Sequence, residues 1–180
     1  MLAEWIRERF DAAAMWLPFD LHPEYPPEGM PRAELRRRFG DEHDTRLRSL
    51  FQRNGLVFNP PEVMPNSRAA LRVTELGRDR GIHQPLHDRL MDALWANAED
   101  IGDHDVLRTH ADAVGLERGD VDRVLGGDDY LERVLASTTQ AASIGINGIP
   151  AFLLDSRLLV LGAQPRDVFE RAFAQLGDRS

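Results

Sequence analysis

Apolar residues recur at helical spacing along most of this chain, and the exceptions mark where it changes structure. Leu2, Ile6 and Phe10 fall on one face with Trp5 beside them, which predicts a helix over Leu2–Phe10 that starts with no capping residue ahead of it. Met15–Leu21 breaks the rhythm. Its large apolar groups alternate weakly, so it reads as a strand. His22–Gly29 holds Pro23, Pro26 and Pro27 and reads as a rigid loop. From Pro31 to Ile144 the pattern is helical again. Pro31–Phe39 opens on proline, and Asp41–Arg53 stops at Asn54-Gly55, a helix-ending pair. Leu56–Pro65 is an irregular connection. Asn66 or Ser67 caps a helix through about Arg80, with Ala70, Val73, Leu76 and Gly77 inward. Pro85 opens the next, with Leu86, Leu90, Ala93 and Leu94 as its stripe. Asp103 caps a helix ended by Gly115, Val121–Leu125 is short, and Asp128 or Asp129 caps a last helix carrying Leu131, Val134, Leu135, Thr138 and Ala142.

The final stretch changes period. Ala151–Leu154 and Leu158–Leu161 are short apolar runs separated by Asp155-Ser156-Arg157, the pattern of an antiparallel hairpin. Gly145 and Gly148 free the backbone ahead of it. Pro150 opens the first strand, a position where a missing N–H is tolerated. Pro165 then starts a helix whose apolar face is Val168, Phe169, Ala172, Phe173 and Leu176. The order is helix, strand, long helical block, hairpin, helix: an α/β chain. The last helix of the block must return to the hairpin, so 31–144 is expected to be an insertion within one structural unit whose core comes from 1–30 and 145–180.

Composition narrows the partners. The 180 residues are 42% hydrophobic and 29% charged, ordinary usage for a folded protein. The net charge of −8 argues against a nucleic-acid surface, which needs clustered cations. Arg36-Arg37-Arg38 reads as an exposed helix face. Glu4, Arg7, Glu8 and Arg9 interrupt the start of the chain, so it lacks the apolar core of a secretion signal, and no apolar run reaches membrane-spanning length. A cytoplasmic location with no membrane partner is expected. The chain contains no cysteine and no lysine, so neither a protein thiolate nor a lysine Schiff base is available to it.

Two stretches resemble a known family. Gly145-Ile146-Asn147-Gly148-Ile149-Pro150-Ala151-Phe152 with Gly162-Ala163-Gln164-Pro165, and Trp16–Pro23 followed by Pro27-Glu28-Gly29, look like the DsbA family of thioredoxin-fold proteins, in its FrnE-like and 2-hydroxychromene-2-carboxylate isomerase-like branch. The resemblance implies a thioredoxin-like fold with a helical insertion between the second and third strands. It also implies a first strand and a Cys-x-x-Cys motif (a serine in the isomerase branch) that this chain lacks. That strand would lie between Met15–Leu21 and Ala151–Leu154. The expectation is that about twenty residues carrying it precede Met1, as the family's layout implies. The rival is a degenerate relative that pairs the two flanking strands directly or borrows a strand.

The resemblance also implies a site. The Ile149–Pro150 bond is expected to be cis, and the Ile149 backbone to pair with an extended peptide or glutathione. Asn66, Ser67 and Arg68 are the second substrate-binding candidates, because a similar segment in relatives opens a helix facing the cleft, and helix N-termini favour anions. A plain capping role competes with that reading. No catalytic residue is assigned, and no cofactor is expected. His83 and His87 are four apart, but Pro85 between them marks a helix start, which sets them on different faces. His104 and His110, with Asp100 and Asp112, are too loosely arranged to specify a metal. Three readings follow: a thiol–disulfide oxidoreductase of the DsbA family, inactive without its thiol; a glutathione-dependent isomerase or transferase; and a non-enzymatic peptide-binding relative. Partners are a protein or small-molecule disulfide, or glutathione, and a second copy of the chain is compatible with the sequence.

Overall fold

A computed structural model describes residues 2–177, the His43 side chain excepted. The helices are α1 (Leu2–Phe10), α2 (Arg32–Phe39), α3 (Asp41–Arg53), α4 (Arg68–Asp79), α5 (His83–Trp95), α6 (His104–Asp112), α7 (Arg118–Gly126), α8 (Leu131–Ser143) and α9 (Arg166–Gly177). The strands are β1 (Met30–Pro31), β2 (Val63–Met64), β3 (Ala151–Leu154) and β4 (Leu158–Leu161). The fold is mostly helical with two small sheets, β1–β2 and β3–β4. The chain divides into two compact units, Met1–Leu17 with Ser137–Ser180, and Pro18–Ala136.

In the first unit, β3 and β4 pair antiparallel with Phe152 opposite Val160 and Leu154 opposite Leu158. Asp155 and Ser156 both have positive φ, 50° and 53°, and the Arg157 N–H donates to Leu154 O at 3.0 Å. These are the marks of a mirror-image turn, whose twist suits a hairpin. The sheet face made by Phe152, Leu154, Leu158 and Val160 packs with α1 and α9 around Phe169, which is fully buried. Phe152 meets Phe169 edge-on at 5.0 Å, and Phe10 stacks on Phe173 at 4.0 Å.

The second unit is built on α4–α7. Val73, Leu76, Leu86, Leu90, Leu107, Val121 and Val124 form its core. Gly77 sits where a Cβ would lie 3.1 Å from Leu86 Cδ2, so α4 and α5 approach closely there. Asp103 caps α6 through its carboxylate, which accepts from the N–H of Asp105 at 2.6 Å and of Val106 at 3.4 Å.

The expected strand at Met15–Leu21 is not formed. No described strand includes this stretch, and no ladder joins it to Ala151–Leu154. Pro18 removes a ladder N–H from its middle, and Met15 and Leu17 are 74% and 63% exposed, so apolar side chains here did not signal a buried strand. The block from Pro31 to Ile144 holds only two-residue strands besides its helices. Pro85 does not open α5 either. The helix begins at His83, and the proline occupies its first turn, where the N–H would lack a partner anyway.

Candidate functional site

Ile149 and Pro150 enter β3 in the first unit, and the bond between them is cis. Ile149 is 59% exposed. The Gly162 N–H donates to Pro150 O at 2.8 Å, which with the strand register fixes the direction of every backbone group on β3. Pro150, Phe152 and Leu154 direct their groups to β4. Ala151 and Leu153 therefore turn their N–H and C=O the other way. On that side no described strand pairs with β3. The face opposite the core, with Ala151, Leu153, Leu159 and Leu161, is apolar, and Leu153 and Leu161 stay 48% and 44% exposed. This arrangement can hold an extended chain by backbone hydrogen bonds with apolar contacts beside them.

Asn66, Ser67 and Arg68 open α4 in the second unit, where each is engaged locally. Asn66 Oδ1 accepts from the Arg68 N–H at 3.0 Å, and its amide donates to Tyr25 O at 2.7 Å. Asn66, rather than Ser67, thus caps the helix by side chain. Arg68 Nε donates to Asp20 Oδ2 at 2.9 Å, and its Nη2 to Pro23 O at 3.4 Å. Asp20 is 3% exposed. His22 stacks on Tyr25 with ring centres 4.4 Å apart, and burial pushes the Tyr25 phenol up. These residues bind the proline-rich loop to α4. Because Ile149–Pro150 and Asn66–Arg68 lie in different units, each segment stands as a separate candidate.

Two groups of side chains differ from the sequence expectation. His83 and His87 share one face of α5, with ring centres 5.7 Å apart and planes 10° from parallel. Glu75, placed on no face by the apolar pattern, is 1% exposed. Its carboxylate accepts from Arg78 Nε at 3.0 and 3.1 Å, Arg78 Nη2 at 2.9 Å and Arg133 Nη1 at 3.4 Å. Arg133 also donates to Asp79 at 2.8 Å, which with the Tyr130 hydroxyl holds the Asp79 carboxyl below its usual value. The three-residue spacing of Glu75 and Arg78 was the one sequence signal for this network. Among the described residues no group of three or more His, Cys, Asp or Glu is placed to hold a metal ion. A surface hollow of about 320 Å³ is lined by Asp105, Arg108, Thr109, Asp112 and Arg118. It includes none of the candidate residues, and Arg108 is already paired with Asp105 and Asp122. None of the described helices is long and apolar enough to cross a membrane.

The profile of the DSBA-like thioredoxin domain matches residues 2–174. A probable DsbA oxidoreductase from Streptomyces coelicolor is similar in structure, with a TM-score of 0.81, 27% identity, and coverage of 90% of this chain and 74% of that one. A 2-hydroxychromene-2-carboxylate isomerase shares the fold at a TM-score of 0.77 and 16% identity, over 99% of this chain and 88% of its own. The Bacillus subtilis protein YwbO, described as uncharacterized, is 23% identical over 91% of this chain and 82% of its own length.

Proposed function

Because the chain belongs to the family of DSBA-like thioredoxin domains, we propose that it binds an extended thiol- or disulfide-bearing peptide along Ile149 and the outward edge of β3. The observation that carries this is the combination of an exposed Ile149 with Ala151 and Leu153 backbone groups turned away from β4. A peptide added there would gain main-chain hydrogen bonds, and Leu153 and Leu161 would meet its side chains. The role is that of the substrate-holding part of a disulfide oxidoreductase. Thiol–disulfide exchange needs an attacking thiolate, and these 180 residues contain no cysteine. The chain therefore binds the sulfur-bearing substrate without itself exchanging electrons with it.

Glutathione is the second reading, favoured by that same lack of cysteine, since this tripeptide brings its own thiol. Calorimetric titration separates the two. An S-methylated decapeptide and reduced glutathione are titrated in turn into the protein and into the variants Ile149→Ala and Ile149→Pro. Ile149→Ala keeps the backbone N–H and should bind as the parent does. Ile149→Pro removes it and should lose binding. Heat from the decapeptide alone supports the peptide reading, and heat from glutathione alone the second. Equal binding by both variants, or heat from neither ligand, overturns the site.

A further inference from the structure

His83 and His87 are the one histidine pair among the described residues whose rings lie one above the other on a single helix. An ion about 2.0–2.1 Å from an imidazole nitrogen lies about 3.2 Å from that ring's centre, so two rings sharing an ion have centres at most about 6.4 Å apart. The observed 5.7 Å falls within that limit. We infer that His83 and His87 form a two-imidazole binding site for a divalent first-row transition-metal ion, with water completing its coordination. Shared binding requires each ring to turn about χ2, a broad torsion, out of the present near-parallel arrangement.

The electrostatic setting has two sides. The Asp88 carboxylate favours positive charge at both rings, whereas Arg78 opposes it at His83. Burial lowers both imidazoles from their ordinary value, which favours the neutral form that binds metal. Two nitrogen donors without thiolate favour Cu²⁺ and Ni²⁺ over Zn²⁺. Residues 84 and 85 between the histidines are glutamine and proline. The glutamate that serves as general base in the His-Glu-x-x-His helix of metalloproteases is therefore replaced, and the site is one for binding rather than hydrolysis.

The test is a calorimetric titration of the full chain with nickel chloride in a non-coordinating buffer. One Ni²⁺ per chain is expected at this site. His83→Asn and His87→Asn should each weaken it at least about tenfold, because the second imidazole acts at high effective concentration. His104→Asn should change nothing. Unaltered affinity in His83→Asn, or no heat up to about 1 mM nickel, a range that covers weak sites, would overturn the inference. A zinc titration of the unmodified protein, followed by imidazole nitrogen resonances, covers a variant that fails to fold. Joint shifts of His83 and His87 support the site, and shifts confined to other histidines refute it.

Discussion

Removing Arg78 should harm this protein more than removing the carboxylate it serves. Glu75 is 1% exposed, and three of the four contacts on its oxygens come from Arg78, at 2.9 to 3.1 Å. The fourth, from Arg133, is long at 3.4 Å. In Arg78→Met the charge stays buried with that single donor. Breaking a buried pair from one side costs about 3–5 kcal/mol, and the remaining Arg133 contact places the expectation near the lower end, at about 3 kcal/mol. In Glu75→Met the buried charge itself is gone. The Arg78 side chain, 25% exposed, and that of Arg133, 45% exposed, can turn to water. That change should cost about 0–1 kcal/mol, as replacements of buried ions by apolar groups often do. The double variant should resemble Glu75→Met alone. Urea unfolding followed by far-ultraviolet circular dichroism reads the order directly. With a slope of about 2 kcal/mol/M, Arg78→Met should lower the midpoint by about 1.5 M. Equal losses in the two single variants, or a double variant worse than Arg78→Met, would refute the reasoning.

Three further outcomes follow from the geometry. Gly29 has φ +81°, and a Cβ there would lie 2.6 Å from Met64 O and 2.8 Å from Val63 Cγ1. Gly29→Ala should therefore cost at least about 2 kcal/mol, against about 1 kcal/mol for Gly55→Ala, as thermal melts will show; Gly55 has a similar φ and no atom within 4 Å of such a Cβ. Asp103→Ala removes the acceptor for two N–H groups at the start of α6 and should cost about 1 kcal/mol in urea unfolding. The histidine pair sets an acid limb. Burial, and for His83 also Arg78 and then His87, depress both values below 6.5. The unfolded chain therefore takes up protons first as the pH falls, and this stability is complete above 6.5 and lost below it, through the folded values. A His83→Asn/His87→Asn double variant should show a flatter fall in stability between about pH 7 and pH 5, and an unchanged slope would contradict the assignment.

The elements legible in the sequence were those set by local chemistry. The hairpin at Ala151–Leu154 and Leu158–Leu161, and the helices at Leu2–Phe10 and Asp41–Arg53, formed with the expected bounds, because apolar period and breaker residues act within a few positions. Asp103 capped its helix as its carboxylate and position implied. The misreadings share a cause, which is that partners distant in sequence decide them. Met15–Leu21 has strand-like side chains, but a strand exists only in a ladder, and neither described sheet includes this stretch. Pro85 is a strong start signal, yet Ile82, three positions before it, became the cap residue of α5. That shift placed His83 and His87 on one face. Asp20 lies in an apolar stretch and is sealed by Arg68, 48 positions away, and Arg72 reaches the carbonyls of Val124, Gly127 and Asp129 from α4. Of the candidate site, Ile149–Pro150 was legible through the resemblance of Gly145–Phe152 to the family, whereas the outward direction of Ala151 and Leu153 required the register of β3 against β4.

The proposed peptide site is the Ile149 backbone with the outward edge of β3. A titration of isotope-labelled protein with an S-methylated decapeptide, followed through backbone amide resonances, tests it most directly. The amides of Ile149, Ala151 and Leu153 should shift downfield together and gain protection from solvent exchange, while those of Phe152 and Leu154, already directed to β4, should move little. Binding that leaves Ile149, Ala151 and Leu153 unmoved, and shifts a set elsewhere in the chain, would contradict it.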